Sequence, residues 1–146
     1  KNGKAIKFHE KDARSIGRSS KGVRGIMLKP GDEVIDFIVA NDNKTVLTVT
    51  EKGYGKRTKI SDYRLIKRGG FGVINIICNE RNGKVASIKS VDDEDSIMFI
   101  SQKGNVIRTF ARDVSTIGRN TQGVRIMRLA DNDRVVAAAK VVNGSE

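Results

Sequence analysis

"TVLTVTEKGYGKRTKISDYRLIKRGGFGV", residues 45–73, lies without a gap over "SIMFISQKGNVIRTFARDVSTIGRNTQGV", residues 96–124, at an offset of 51. "NGKAIKFHEKDARSIGRSSKGV" (2–23) lies over residues 52–73 at an offset of 50. In this register Gly3, Gly53 and Gly104 coincide, as do Asp12, Asp62 and Asp113, then Arg18, Arg68 and Arg119, then Gly22, Gly72 and Gly123. Each copy ends in a Val-rich run: "EVIDFIVA", "KVASIKSV" and "RVVAAAKVV". The chain is therefore one domain made of three copies, at approximately 1–44, 45–95 and 96–146. The first copy lacks the run that matches "TVLTVT".

A period of about 50 residues suits a propeller blade better than a helical pair. "TVLTVT", "SIMFIS" and "GVINIIC" are short and rich in β-branched or apolar residues, as strands are. "EKG", "QKG", "NDN" and "RNGK" supply hairpin turns. No segment sustains a 3.6-residue apolar period between helix caps. The fold class read from this pattern is all-β: a propeller-like β-pinwheel of about three four-stranded blades in a partial ring. Propellers typically close with about four to eight blades, and the chain opens on Lys1 rather than Met. It reads as part of a larger ring.

At 146 residues with 38% hydrophobic composition, the chain can bury a core and is not of disordered type. No apolar run approaches membrane-spanning length, so no membrane partner is expected. The single Cys78 has no disulfide or metal partner and reads as a packed thiol in a cytoplasmic protein. The net charge of +11 points to a polyanion, nucleic acid first.

The charge follows the repeat. Residues 1–29, 52–72 and 103–128 carry +7, +6 and +5, so the rest of the chain is net negative by seven. Repeated blades place equivalent positions on one rim, and three basic clusters in register make a curved positive track suited to a bent phosphate backbone. The candidate DNA-binding residues are Lys7, Arg14, Arg18, Lys21 and Arg24 in the first copy. The second contributes Lys56, Arg57, Lys59, Arg64, Lys67 and Arg68, and the third Arg108, Arg112, Arg119 and Arg125. Gly22, Gly72 and Gly123 allow tight loops with exposed backbone N–H groups, four residues after Arg18, Arg68 and Arg119. The same glycines are equally well suited to serving blade geometry alone.

Catalytic and metal-binding readings fail on the residues available. His9 is the only histidine, which leaves no His dyad and no His-rich metal site. "DDED" (92–95) lacks the spacing of a calcium loop and reads as a solvated turn. Tyr54 and Tyr63 have no acidic cluster nearby to make either a DNA-cleaving nucleophile. Asp12, Asp62 and Asp113 suit ion pairs or turn caps. Seven aromatics and no Trp leave few stacking platforms for RNA or single strands, which favours a duplex backbone. An RNA-binding or protein-interaction propeller is the alternative from another class.

"KGYGKRT" (52–58), "GRNTQGV" (118–124) and "GVRGI" (22–26) resemble the C-terminal domain of the DNA gyrase A subunit family, and the likeness runs along essentially the whole chain. The resemblance implies the last three of six β-pinwheel blades. It implies a domain that binds and wraps double-stranded DNA on its outer rim without sequence specificity and so supports negative supercoiling. The implied partners are the gyrase B subunit together with the remainder of the gyrase A subunit. ATP and magnesium are expected elsewhere in the parent, a type IIA topoisomerase, with no cofactor here. The implied location is the bacterial cytoplasm, at the nucleoid. "IKRGGFG" (66–72) resembles the family's Gly-rich box in Arg68, Gly69, Gly70 and Gly72, but has Phe71 for Lys and lacks the Gln, so the box's role is not carried over. The related domain of topoisomerase IV is a further alternative, from which the intact "GYGKRT" turns the reading toward gyrase. Three blades also leave strand edges at both ends, which two copies could cover by pairing; a monomeric crescent is the favoured expectation.

Overall fold

The computed structural model describes residues 1–8, 26–66 and 69–141. Among these, regular structure is confined to nine strands and two single turns of 3₁₀ helix at Ile60–Asp62 and Ala111–Asp113. The strands are β1 (Lys4–Ala5), β2 (Thr45–Thr50), β3 (Tyr54–Lys59), β4 (Val73–Ile74), β5 (Val85–Val91), β6 (Ser96–Ser101), β7 (Val106–Phe110), β8 (Val124–Arg125) and β9 (Val135–Val141). They form three antiparallel sheets, ordered β1-β4, β5-β2-β3-β8 and β7-β6-β9. The all-β pinwheel expectation holds.

Sequence copies and sheets do not share boundaries. The outer strand of the middle sheet, β8, comes from the third copy, and β4 of the second copy pairs with β1 of the first. The two junctions superpose residue for residue: Lys4 faces Ile74 where Tyr54 faces Arg125, and Ala5 faces Val73 where Gly55 faces Val124. Backbone bonds extend each junction. Ile126 and Met127 N–H donate to Gly53 O at 2.7 and 3.0 Å, as Asn75 and Ile76 N–H donate to Gly3 O at 2.7 and 3.2 Å. Gly53 has φ +87°, and an added Cβ would lie 2.2 Å from Met127 O. The turn glycine therefore serves two needs: a left-handed backbone, and room for the donated strand.

Burial on both faces explains the composition of the middle strands. Leu47 and Val49 of β2 enter a core with Val91, Ile97, Phe99, Met127 and Val135, which joins the middle and third sheets. Val46, on the opposite face, packs with Ile60, Tyr63, Ala5 and Val73 toward the first copy. A blade held between two neighbours has no solvent face, so the alternation expected of a half-buried strand disappears. The Thr residues interleaved in β2 are satisfied internally. Thr48 Oγ1 accepts from Asn75 Nδ2 at 3.0 Å, and Asn75 Oδ1 accepts from the Tyr63 hydroxyl.

Two strand expectations fail, a strand over "EVIDFIVA" and four strands in every copy. "EVIDFIVA" (33–40) forms no strand, and Phe37 and Val39 are 86% and 87% exposed. Its counterparts β5 and β9 each pair with a strand of the "TVLTVT" type, β2 and β6, which the first copy lacks. The third sheet has three strands, β7-β6-β9. Four-stranded architecture is complete only in the middle sheet. Among the described residues no helix is long and apolar enough to cross a membrane.

Candidate nucleic-acid interface

The basic residues separate into struts between copies and cations left facing solvent. Lys7 and Arg57 occupy equivalent positions and make equivalent ion pairs. Lys7 Nζ lies 2.5 Å from Asp42 Oδ1, and Arg57 NH1 lies 2.5 Å from Asp93 Oδ1. Each also reaches the 3₁₀ region of the next copy: Lys7 Nζ donates to Ile60 O at 3.3 Å, and Arg57 Nε donates to Val114 O at 2.9 Å. Arg57 is only 6% exposed. Both depart from the expected rim position, because a half-buried or buried cation must take acceptors from its neighbours. Arg108, the third equivalent, is exposed and among the described residues donates only to Ser96 Oγ, at 3.4 Å.

Lys56 departs furthest from that expectation. It is fully buried, and its Nζ donates to Gly118 O, Arg119 O and Thr121 Oγ1 at 2.8, 2.7 and 2.9 Å. The equivalent residues are Ile6 and Ile107, so the repeat itself asks only for an apolar side chain here. Lys56 instead fastens the "GRNT" loop. Arg119 leaves that loop to donate from Nε to Asp62 O at 3.2 Å and from NH1 to Ile74 O at 2.7 Å, above the Tyr63 ring. Burial, and secondarily the Arg119 charge, push the Lys56 ammonium down to about 8.

The sign of the pH effect follows. The folded chain gives up this proton near 8, whereas the unfolded chain keeps it to the ordinary value of 10.5. Between those values the unfolded state binds more protons, so this group makes stability rise with pH, by on the order of 1 kcal/mol per pH unit. Lys56→Met should flatten that rise between about pH 8 and 10. At pH 7 it should cost about 1–3 kcal/mol, because the loop carbonyls lose their donor. Urea unfolding at several pH values measures both, and identical slopes in the two proteins would refute the assignment.

Lys59, Arg64, Arg112 and Arg125 are exposed, and Arg119 is half-buried. None of these five has a carboxylate partner among the described residues. Arg112 stacks on Phe110 at 4.4 Å. Some acids are engaged elsewhere, whereas Asp62 and Asp113 make no ion pair among the described residues. Within "DDED", Asp92, Asp93 and Asp95 pair with Lys44, Arg57 and Lys140. The turn is exposed at Asp93 and Glu94, as expected of a solvated turn, and it also carries ion pairs, of which Lys44–Asp92 and Lys140–Asp95 join copies. Gly72 and Gly123 have φ +80° and +78° and meet the carbonyls of Ala5 and Gly55 at the strand junctions. Phe71, at the place of the family's Lys, is 49% exposed. Arg14, Arg18, Lys21, Gly22, Arg24, Lys67 and Arg68 lie outside the described residues, as do His9 and Asp12. Burial raises the half-buried Cys78 thiol above its ordinary value, which agrees with an inert packed side chain.

One cluster was not expected from the sequence. Arg81 Nε and Arg125 NH2 donate to the Tyr54 hydroxyl oxygen at 3.1 and 2.9 Å, and both guanidinium carbons lie 5.3 Å from the centre of its ring. "RNG" signals a turn and says nothing about which strand the Arg81 side chain will meet. Only the donation of β8 brings Arg125 to the same ring.

Comparison with known proteins agrees with this architecture. The family profile described as DNA gyrase C-terminal domain, beta-propeller, matches residues 1–41, 44–92 and 95–141. The DNA gyrase A subunit of Haloquadratum walsbyi is 48% identical over 137 residues, covering 92% of this chain and 16% of the relative. That of Staphylococcus aureus strain NCTC 8325 is 46% identical over 143 residues, covering 97% and 16%. The chain thus spans about a sixth of the length of these curated relatives. A solved DNA gyrase A C-terminal domain superposes with a TM-score of 0.89 at 32% identity, over 97% of this chain and 48% of that one. The C-terminal domain of a DNA topoisomerase IV has the same fold, with a TM-score of 0.88 at 23% identity over 96% and 44%. With three successive segments matched and the strand-donating sheets present, the chain belongs to the DNA gyrase C-terminal domain beta-propeller family.

Proposed function

We propose that this chain binds duplex DNA along its exposed cations and bends it, as a DNA-wrapping element of gyrase A. The observation that carries the reading is the division of charge. The carboxylates of Asp42, Asp92, Asp93 and Asp95 pair with Lys7, Lys44, Arg57 and Lys140, while Lys59, Arg64, Arg112, Arg119 and Arg125 keep no carboxylate partner among the described residues. Phosphate contacts of this kind position a duplex without reading its sequence. In the parent protein the bent segment would be presented for strand passage, with gyrase B, ATP and magnesium acting at residues outside this chain. The relatives at 46–48% identity belong to gyrase, which favours gyrase over topoisomerase IV.

The test is bending. Duplexes of about 40 base pairs with a fluorophore at each end should gain energy transfer on addition of the chain, to a similar extent for unrelated sequences. Single strands and duplex RNA of equal length should respond far less. Equal or stronger binding to RNA would turn the reading to an RNA-binding propeller. Duplex binding without any gain in transfer would remove wrapping.

A further inference from the structure

We infer that Tyr54, Arg81 and Arg125 form a binding site for one phosphodiester group of duplex DNA, at the junction where β8 is laid against β3. The inference rests on the duplex-binding reading above and adds Arg81 and Tyr54 to it. Tyr54 is 4% exposed, whereas Arg81 and Arg125 are both exposed. The phenol oxygen accepts from both guanidinium groups, so its lone pairs are engaged. Its own O–H meets no acceptor among the described residues. Each guanidinium spends one N–H on the tyrosine and has others remaining. Neither has a carboxylate partner among the described residues. Two positive forks held against one ring, with a hydroxyl between them, make a preorganised set of donors for an anion with several oxygens. The cluster opens into a cleft of about 490 Å³ that Lys52, Arg128, Asp131 and Asp133 also line. The two guanidinium donors hold the Tyr54 phenol below its ordinary value, Arg81 first.

The repeat supplies an internal control. A feature the fold requires should recur at each junction. The cross-strand pair Tyr54–Arg125 is replaced at the preceding junction by Lys4–Ile74. The third-copy equivalent of Tyr54 is Asn105. The turns that correspond to the one holding Arg81, "KPGD" and "ADND", carry no Arg. The strand-donating architecture therefore forms without this triad, and its presence in the middle copy is not explained by packing. A phosphodiester fits better than a larger anion, because the two forks converge on one hydroxyl.

The experiment compares the chain with three variants by fluorescence anisotropy on a 30-base-pair duplex across a salt series. Arg81→Gln/Arg125→Gln should bind at least about tenfold more weakly, with a log–log salt slope shallower by about 0.9, the value for one phosphate. Tyr54→Phe keeps the ring and should lose about two- to fivefold with the slope unchanged. Lys84→Gln/Arg134→Gln removes the same charge from exposed positions outside the three basic stretches and should lose less than about threefold. Thermal unfolding of each variant checks that the fold is retained. Equal losses in the two double variants would reduce the effect to bulk charge and overturn the site, as would unaltered binding by Arg81→Gln/Arg125→Gln. The Arg Nε–H resonances separate the phosphate sources. They should shift with duplex, and with inorganic phosphate only at high millimolar concentration. Saturation by sub-millimolar inorganic phosphate, with DNA affinity untouched by the variants, would make this a free-phosphate site instead. If the unsubstituted chain binds no duplex at all, both this inference and the proposed function fall.

Discussion

Raising monovalent salt from about 50 to about 200 mM should weaken duplex binding by this chain roughly a thousandfold. The estimate follows from counterion release. Each neutralised phosphate contributes about 0.9 to the slope of log affinity against log salt, and about two phosphates per copy give a slope near −5. The cations proposed for this role are exposed or half-buried and have no carboxylate partner among the described residues. The net charge is +11, and the ion pairs of Lys7, Lys44, Arg57 and Lys140 engage Asp42, Asp92, Asp93 and Asp95. The measurement is equilibrium binding at four or more salt concentrations on two unrelated duplex sequences. The two lines should be parallel and nearly coincident. A slope shallower than about −2, or a large sequence-dependent offset, would mean that polar base contacts carry the affinity.

Gly53→Ala should destabilise the chain by about 3–5 kcal/mol, and Gly104→Ala by about 1–2 kcal/mol. The two residues are repeat equivalents with almost the same backbone, φ +87° and +89°. Both substitutions therefore incur the left-handed penalty of a residue with a Cβ. Only at Gly53 does the new carbon collide with the donated strand, 2.2 Å from Met127 O and 3.2 Å from its carbonyl carbon; at Gly104 nothing lies within 4 Å. Backbone atoms cannot swing aside as a side chain can, so the strand must lift and lose the bonds from Ile126 and Met127 N–H to Gly53 O. A domain of this size is stable by about 5–15 kcal/mol, so Gly53→Ala should unfold a measurable share of the molecules near body temperature. Urea titration of both variants gives the comparison. Equal losses would show that conformation alone, and not strand docking, makes the glycine necessary.

The fold was legible because the sequence repeats. The registers of Gly3, Gly53 and Gly104, and of Gly22, Gly72 and Gly123, exposed the blade unit before any strand was assigned. What the repeat could not reveal was connectivity. "GVRI" pairs equally well with a strand of its own copy or with that of the copy before, and the two choices leave the same pattern of residues. The site was legible in charge and less so in role. Lys56 and Arg57 sit in "GKRT", which reads as an exposed basic run, yet β3 is buried along most of its length. Nothing local distinguishes a cation that meets solvent from one that meets Asp93 or the carbonyls of Gly118 and Arg119. Those acceptors lie 36 to 63 residues away in the chain. Arg81 was missed for the same reason, since its partner ring lies on a strand 27 residues earlier.

The handing of β8 from one copy to the sheet of the copy before it also sets a schedule for synthesis. The hairpin of β2 and β3 leaves the ribosome complete by Lys59, but the strand that covers its open edge begins only at Val124. At roughly 5–20 residues per second, the intervening stretch takes about 3–13 s to emerge. Through that interval the newborn chain carries an unsatisfied strand edge at Tyr54 and Gly55, the place where another nascent copy could add its own strand. Each unit is finished only by its successor, so a stall in translation leaves the last unit made as the vulnerable one, and chaperone demand should track the ribosome's position along the repeat.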